Sequence, residues 1–153
     1  MTLNDVLTKQ NVISKLLLNE GNKELPKELK VKIMRIWMAY AKIKKNFEEE
    51  AKQFAEQLIT DELQELSRKI DRTTEEEQRF FELETKTNAE YQEFLVQKGL
   101  EKVQDIDDFL SVEEYDEIVD VNSGNDVIIN GITIKAPDYL EIVYGLFVKE
   151  SIC

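Results

Sequence analysis

Between Pro26 and Ile70 the chain carries neither proline nor glycine, and apolar residues recur there at helical spacing. Such a stretch predicts one helix of roughly 45 residues, about 65 Å long at 1.5 Å rise per residue. Its apolar stripe needs cover from another helix, a second copy of the chain, or a partner. Leu29, Ile33, Ile36, Tyr40, Ile43 and Phe47 alternate spacings of four and three, the pattern of a coiled-coil seam. Trp37 lies beside that seam, and with Met34 and Met38 it makes an adaptable, sticky contact surface. Phe47, Ala51, Phe54 and Leu58 then insert an extra step of four. Beyond them the stripe moves sideways to Ile59, Leu63, Leu66 and Ile70, so the two halves of the rod are expected to face different neighbours.

Local signals divide the rest of the chain. Thr2, with Asp5, can cap a first helix, which Gln10-Asn11 is expected to interrupt and Gly21-Asn22 to end. Pro26 suits the entry of the long helix. Asp71 to Thr74 is a turn, and Thr73 with Glu76, or Thr74 with Glu77, forms a capping box. A second helix then runs from about Glu75 to Lys98, where Gly99 stops it. The connection is short, so this helix returns antiparallel and covers only the C-terminal half of the rod. The half from Lys27 to Lys45 needs other cover, part of it from the N-terminal helix and the rest from a second subunit.

After Ser111 and Glu114, another capping box, a short helix over 112–118 is expected. The period then changes. Val127 to Ile129, Asn130-Gly131 and Ile132 to Ile134 predict a β-hairpin with a tight turn. Val119 to Val121 offers a third, edge strand. Pro137 opens a last helix, apolar enough to pack on the hairpin. The expected fold is therefore mainly α with a small α+β C-terminal lobe. Residues 1–110 form a long antiparallel helical hairpin with an N-terminal helix, and residues 111–153 form the lobe, with its β-hairpin at 127–134.

Charge and chemistry narrow the function. The net charge of −12 argues against direct binding to nucleic acid or to an anionic membrane surface. No run approaches a membrane span, and the first residues show no signal-peptide pattern. Residues 27–45 carry a net +6 and residues 101–126 a net −9. The two are either solvated faces or surfaces that meet, within one chain or between copies. Asp120-x-Asn122-x-Gly124 resembles the opening of a calcium loop. Asn125 stands where that loop needs glycine, and Gly131 where it needs a bidentate acid, so a polar turn is expected. The acids Asp105, Asp107, Asp108, Glu113, Glu114, Asp116 and Glu117 have no histidine to organise them, and a solvated surface is expected. The chain has no histidine at all, and its single cysteine, Cys153, has no neighbouring base. No catalytic residue, cofactor site or metal site is predicted, and a reducing, cytoplasmic compartment is expected. The candidate interaction residues are Leu29, Ile33, Ile36, Trp37, Tyr40, Lys42, Lys44 and Lys45 on the long helix, with Tyr115 in the acidic segment.

Four segments, taken in order, resemble a family of small bacteriophage proteins of unassigned function. They are Lys23-Glu-Leu-Pro-Lys-Glu-Leu-Lys-Val-Lys-Ile-Met entering the long helix, the helical return, the acidic Val112-Glu-Glu-Tyr-Asp-Glu-Ile segment, and Ile132-Thr-Ile-Lys-Ala-Pro-Asp-Tyr-Leu before the last helix. The likeness is one of pattern and order over most of the chain. It implies a phage gene product: a non-enzymatic virion component or assembly factor, present in several copies, working in the host cytoplasm during assembly and packing against other copies or other virion proteins. A rival reading from the charge alone is an acidic inhibitor that mimics nucleic acid and blocks a host enzyme. The basic 27–45 segment weighs against that rival unless it is neutralised internally.

Overall fold

A computed structural model describes residues 1–18 and 24–149. It is mostly helical, with a small antiparallel β-hairpin near the C-terminus followed by a helix. In chain order the elements are α1 (Leu3–Leu18), α2 (Lys27–Leu58), α3 (Asp61–Arg68), α4 (Thr74–Leu100), α5 (Val112–Asn122), β1 (Val127–Ile129), β2 (Ile132–Ile134) and α6 (Ala136–Phe147). The expected stop of α1 at Gly21-Asn22 lies outside the described residues, as does Cys153. No helix among the described residues is long and apolar enough to cross a membrane.

The expected 45-residue rod is two helices. α2 ends at Leu58, and Thr60, in extended conformation, starts α3 by accepting a hydrogen bond from the Leu63 backbone N–H. Asp61 and Glu62 then place negative charge in the first turn, where the helix dipole favours it. The sideways step of the apolar stripe between Leu58 and Ile59 coincides with this break. α1, by contrast, runs through Gln10-Asn11 without interruption, because Gln10 is buried and its helix is held by packing. α5 continues to Asn122, so residues 119–121 are helix and form no edge strand. The Asn122 side chain donates to the Ile118 carbonyl at 2.8 Å, extending the helix by one more bond. α4 passes Gly99, which is buried in its last turn, and ends one residue later. The capping boxes at Thr73–Glu76 and Ser111–Glu114 form with both of their bonds. The hairpin turn places Asn130 at φ +51° and Gly131 at φ +78°, the left-handed values a two-residue turn requires.

Contacts divide the chain into two compact units, one of residues 3–44 and 103–153 with Met1, the other of residues 45–102 with Thr2. These boundaries differ from the expected division at 110/111. The hairpin and α6 do not stand as a lobe of their own, because β1 and α6 both pack on α1. In the first unit Val6, Ile13 and Leu16 of α1, Leu29, Ile33, Ile36 and Tyr40 of α2, Ile118 of α5, and Tyr139, Val143 and Phe147 of α6 share one core. Polar bonds tie its elements: Tyr139 donates to the Val12 carbonyl at 2.6 Å, and the Trp37 indole donates to Ser14 at 2.7 Å.

The second unit is the antiparallel helical hairpin. Glu50 meets Lys98 at 2.7 Å, Phe54 stacks on Phe94 at 4.2 Å, and Glu62 meets Arg79 at 2.7 Å. One partner rises in sequence as the other falls, the register of a helical return. Arg72 lies over the Phe80 ring and donates to the Leu66 carbonyl, closing the turn.

Candidate interaction surface

The seam on α2 faces inward. Leu29, Ile33, Ile36 and Tyr40 are all buried in the first unit's core. Their expected role as an interaction surface is therefore corrected: α1 and α6, with Leu110 and Ile118, supply the cover that a second subunit was expected to give. Tyr40 also donates its hydroxyl to the buried Asp108 carboxylate, which the Lys9 ammonium approaches to 2.7 Å. Burial first, and the Asp108 carboxylate second, push the Tyr40 phenol well above its ordinary range.

Trp37 is half-buried, with its indole N–H spent on Ser14. Tyr115 packs beneath its own helix: its ring meets Tyr144 edge-on at 5.1 Å and its hydroxyl donates to the Leu140 carbonyl. Burial, then the charges of Asp116 and Glu141, raise its phenol. It is thus an internal contact and not an exposed anchor. Lys42 and Lys45 are exposed and Lys44 is half-buried.

The charged segments meet in part. Lys32 of the basic segment pairs with Glu114 of the acidic one at 2.7 Å, while Asp108 takes its cation from outside the basic segment, Lys9 of α1. Desolvation works against the Glu114 charge, but Lys32 and the Ser111 backbone N–H outweigh it and hold the carboxyl below its ordinary range. Lys27, Arg35, Lys42 and Lys45 make no ion pair among the described residues.

What α2 turns outward is a second apolar stripe. Val31 is 40% exposed, Met34 45% and Met38 58%. They floor an apolar hollow of about 410 Å³ rimmed by Lys27, Lys30 and Arg35. A second hollow of about 270 Å³ lies between Met34 and Trp37 of α2 and Leu17 and Leu18 of α1. Methionine suits such a surface, since its flexible, polarisable side chain adapts to irregular partners. The sequence flagged Met34, Trp37 and Met38, but neither Val31 nor the α1 leucines. Val31 was findable, because residues 27, 31, 34 and 38 repeat the spacing of the seam two residues earlier, on the opposite face of the helix.

A further hollow of about 390 Å³ between α2 and the 103–110 segment is lined by Glu28, Lys32, Arg35 and Asp107, two acids and two bases with no nucleophile. Among the described residues no three histidine, cysteine or acidic side chains are placed to hold a metal ion. In the partial calcium loop Asn122 is buried, its amide N–H donates to the Ile118 carbonyl, and its Oδ1 has no hydrogen-bond partner among the described residues. No protein-family model, no curated protein and no solved structure matches this chain.

Proposed function

We propose that this protein is a non-enzymatic bacteriophage structural or assembly component, present in several copies and acting through helix packing. The observation that carries the reading is the outward face of α2, where Val31, Met34 and Met38 stay exposed although Leu29, Ile33, Ile36 and Tyr40 on the opposite face are buried inside the chain. A contiguous apolar stripe with a basic rim costs solubility and is kept where a partner covers it. The phage setting rests on the resemblance of pattern and order along the chain. The work is done in the host cytoplasm during assembly, against other copies or other virion proteins and without direct nucleic-acid contact.

The acidic-inhibitor reading requires the basic segment to be neutralised within the chain. Lys32 is, but Lys27, Arg35, Lys42 and Lys45 have no acidic partner among the described residues. The test is the copy number of the chain in purified particles, measured by quantitative mass spectrometry. A fixed multiple of a symmetric particle component is expected, reduced for Met34→Glu with Met38→Glu. Absence from particles, together with a tight complex with a host protein, would replace this reading with the inhibitor.

A further inference from the structure

The cover of the α2 face must bring apolar side chains to Val31 and Met34 and negative charge to the rim cations. We infer that the occupant is the outward face of α4 from a second copy of this chain; the inference rests on the reading of α2 as a contact surface. On α4, Val96 is 60% exposed and Leu100 62%. Glu93 and Glu101 flank them and are also exposed, although Glu101 additionally meets Lys98 at 3.3 Å. The spacing matches. Lys27 and Arg35 stand eight residues apart on α2, about 12 Å of helix, and Glu93 on α4 stands eight residues before Glu101, the extended residue that caps the C-terminus of that helix. Two apolar side chains lie between the charges in each case: Val31 and Met34 on one helix, Val96 and Leu100 on the other.

Pairings of like faces fail on charge. Two α2 faces related by a two-fold axis would set cation rim against cation rim, and two α4 faces would set glutamate against glutamate. The outward face of α5 offers acid in Glu113, Asp116, Glu117 and Asp120, but Val112 is the only exposed apolar residue on that helix to fill the hollow. In the α2–α4 contact each copy offers one face and accepts the other, so two copies pair reciprocally or the contact repeats from copy to copy.

Sedimentation of the full chain over a wide concentration range tests this with two charge-swap variants, Lys27→Glu with Arg35→Glu, and Glu93→Lys with Glu101→Lys. All four positions are exposed, so neither variant disturbs the core. The wild type is expected to associate as concentration rises. Each variant alone should associate about tenfold more weakly or worse, because like charges then face each other. An equimolar mixture of the two should recover association, since each supplies the face complementary to the other. A wild type that stays a single chain at every concentration overturns the inference, as does a variant that associates normally alone or a mixture that fails to recover. None of these results removes α2 as a contact surface for a different protein. That reading falls only if the Met34→Glu, Met38→Glu chain enters particles at the wild-type copy number.

Discussion

The Lys9 ammonium lies 2.7 Å from the Asp108 carboxylate across 99 positions of sequence, and the Tyr40 hydroxyl donates to the same oxygen. Asp108 is buried, so its charge is tolerable only with both partners in place. Three separate segments are joined at that one atom: α1, α2 and the stretch before α5.

Removing the carboxylate should therefore cost far more than a surface change. Asp108→Ala is expected to lower unfolding free energy by about 3 kcal/mol, since it leaves a largely buried ammonium unpaired. Tyr40→Phe removes one of the two donors to that buried carboxylate and should cost about 2 kcal/mol. Urea unfolding of both variants checks this. A loss below about 0.5 kcal/mol for Asp108→Ala, the level of a surface substitution, would show that the cluster does not hold the core.

Alkaline pH should unfold the chain through two buried phenols. Burial raises both Tyr40 and Tyr139 above the ordinary value of 10.0. In the unfolded chain they ionise near that value; in the folded chain they keep their protons. Stability is thus fully present below about pH 10 and declines as pH rises from there toward the raised folded values. Tyrosinate absorbance should show these two of the five tyrosines ionising only as the circular dichroism is lost. Full ionisation of all five while the helices persist would contradict the burial.

The Asn130-Gly131 turn fixes the hairpin at little cost because both residues hold positive φ. Nothing lies within 4 Å of the position a Cβ at Gly131 would take, so the penalty for a side chain there is purely conformational. Gly131→Ala should cost about 1 kcal/mol, and Asn130→Gly close to nothing. Thermal unfolding of the pair checks it. An equal loss from both would mean that side-chain contacts, not backbone conformation, hold the turn.

Local chemistry was readable and distant partners were not. Both capping boxes, the Asn-Gly turn and the helical return rest on residues three or four positions apart, where sequence and geometry are directly linked. The seam at Leu29, Ile33, Ile36 and Tyr40 announced a neighbour, but periodicity cannot name it. The neighbour is α1 with the C-terminal elements, brought back by chain folding that no local pattern encodes. Asp108 read as one acid of a solvated cluster, because nothing nearby in sequence marks its pairing with Lys9 and Tyr40. The break at Thr60 was partly visible as the sideways step at Ile59; the absence of glycine and proline hid it. The Met34 and Met38 stripe was legible as an adaptable surface, and only the burial of the seam on the opposite side of the helix separates the inward face from the outward one.

α2 uses its seam inside the chain and its methionine face outside it. The most direct test is methyl NMR with a soluble paramagnetic probe, on the dilute chain and on the assembled state. Met34 and Met38 are expected to be broadened in the dilute chain and protected on assembly, while Ile33 and Ile36 are protected in both. Met34 and Met38 equally broadened in both states, or Ile33 and Ile36 open to the probe in the dilute chain, would contradict this.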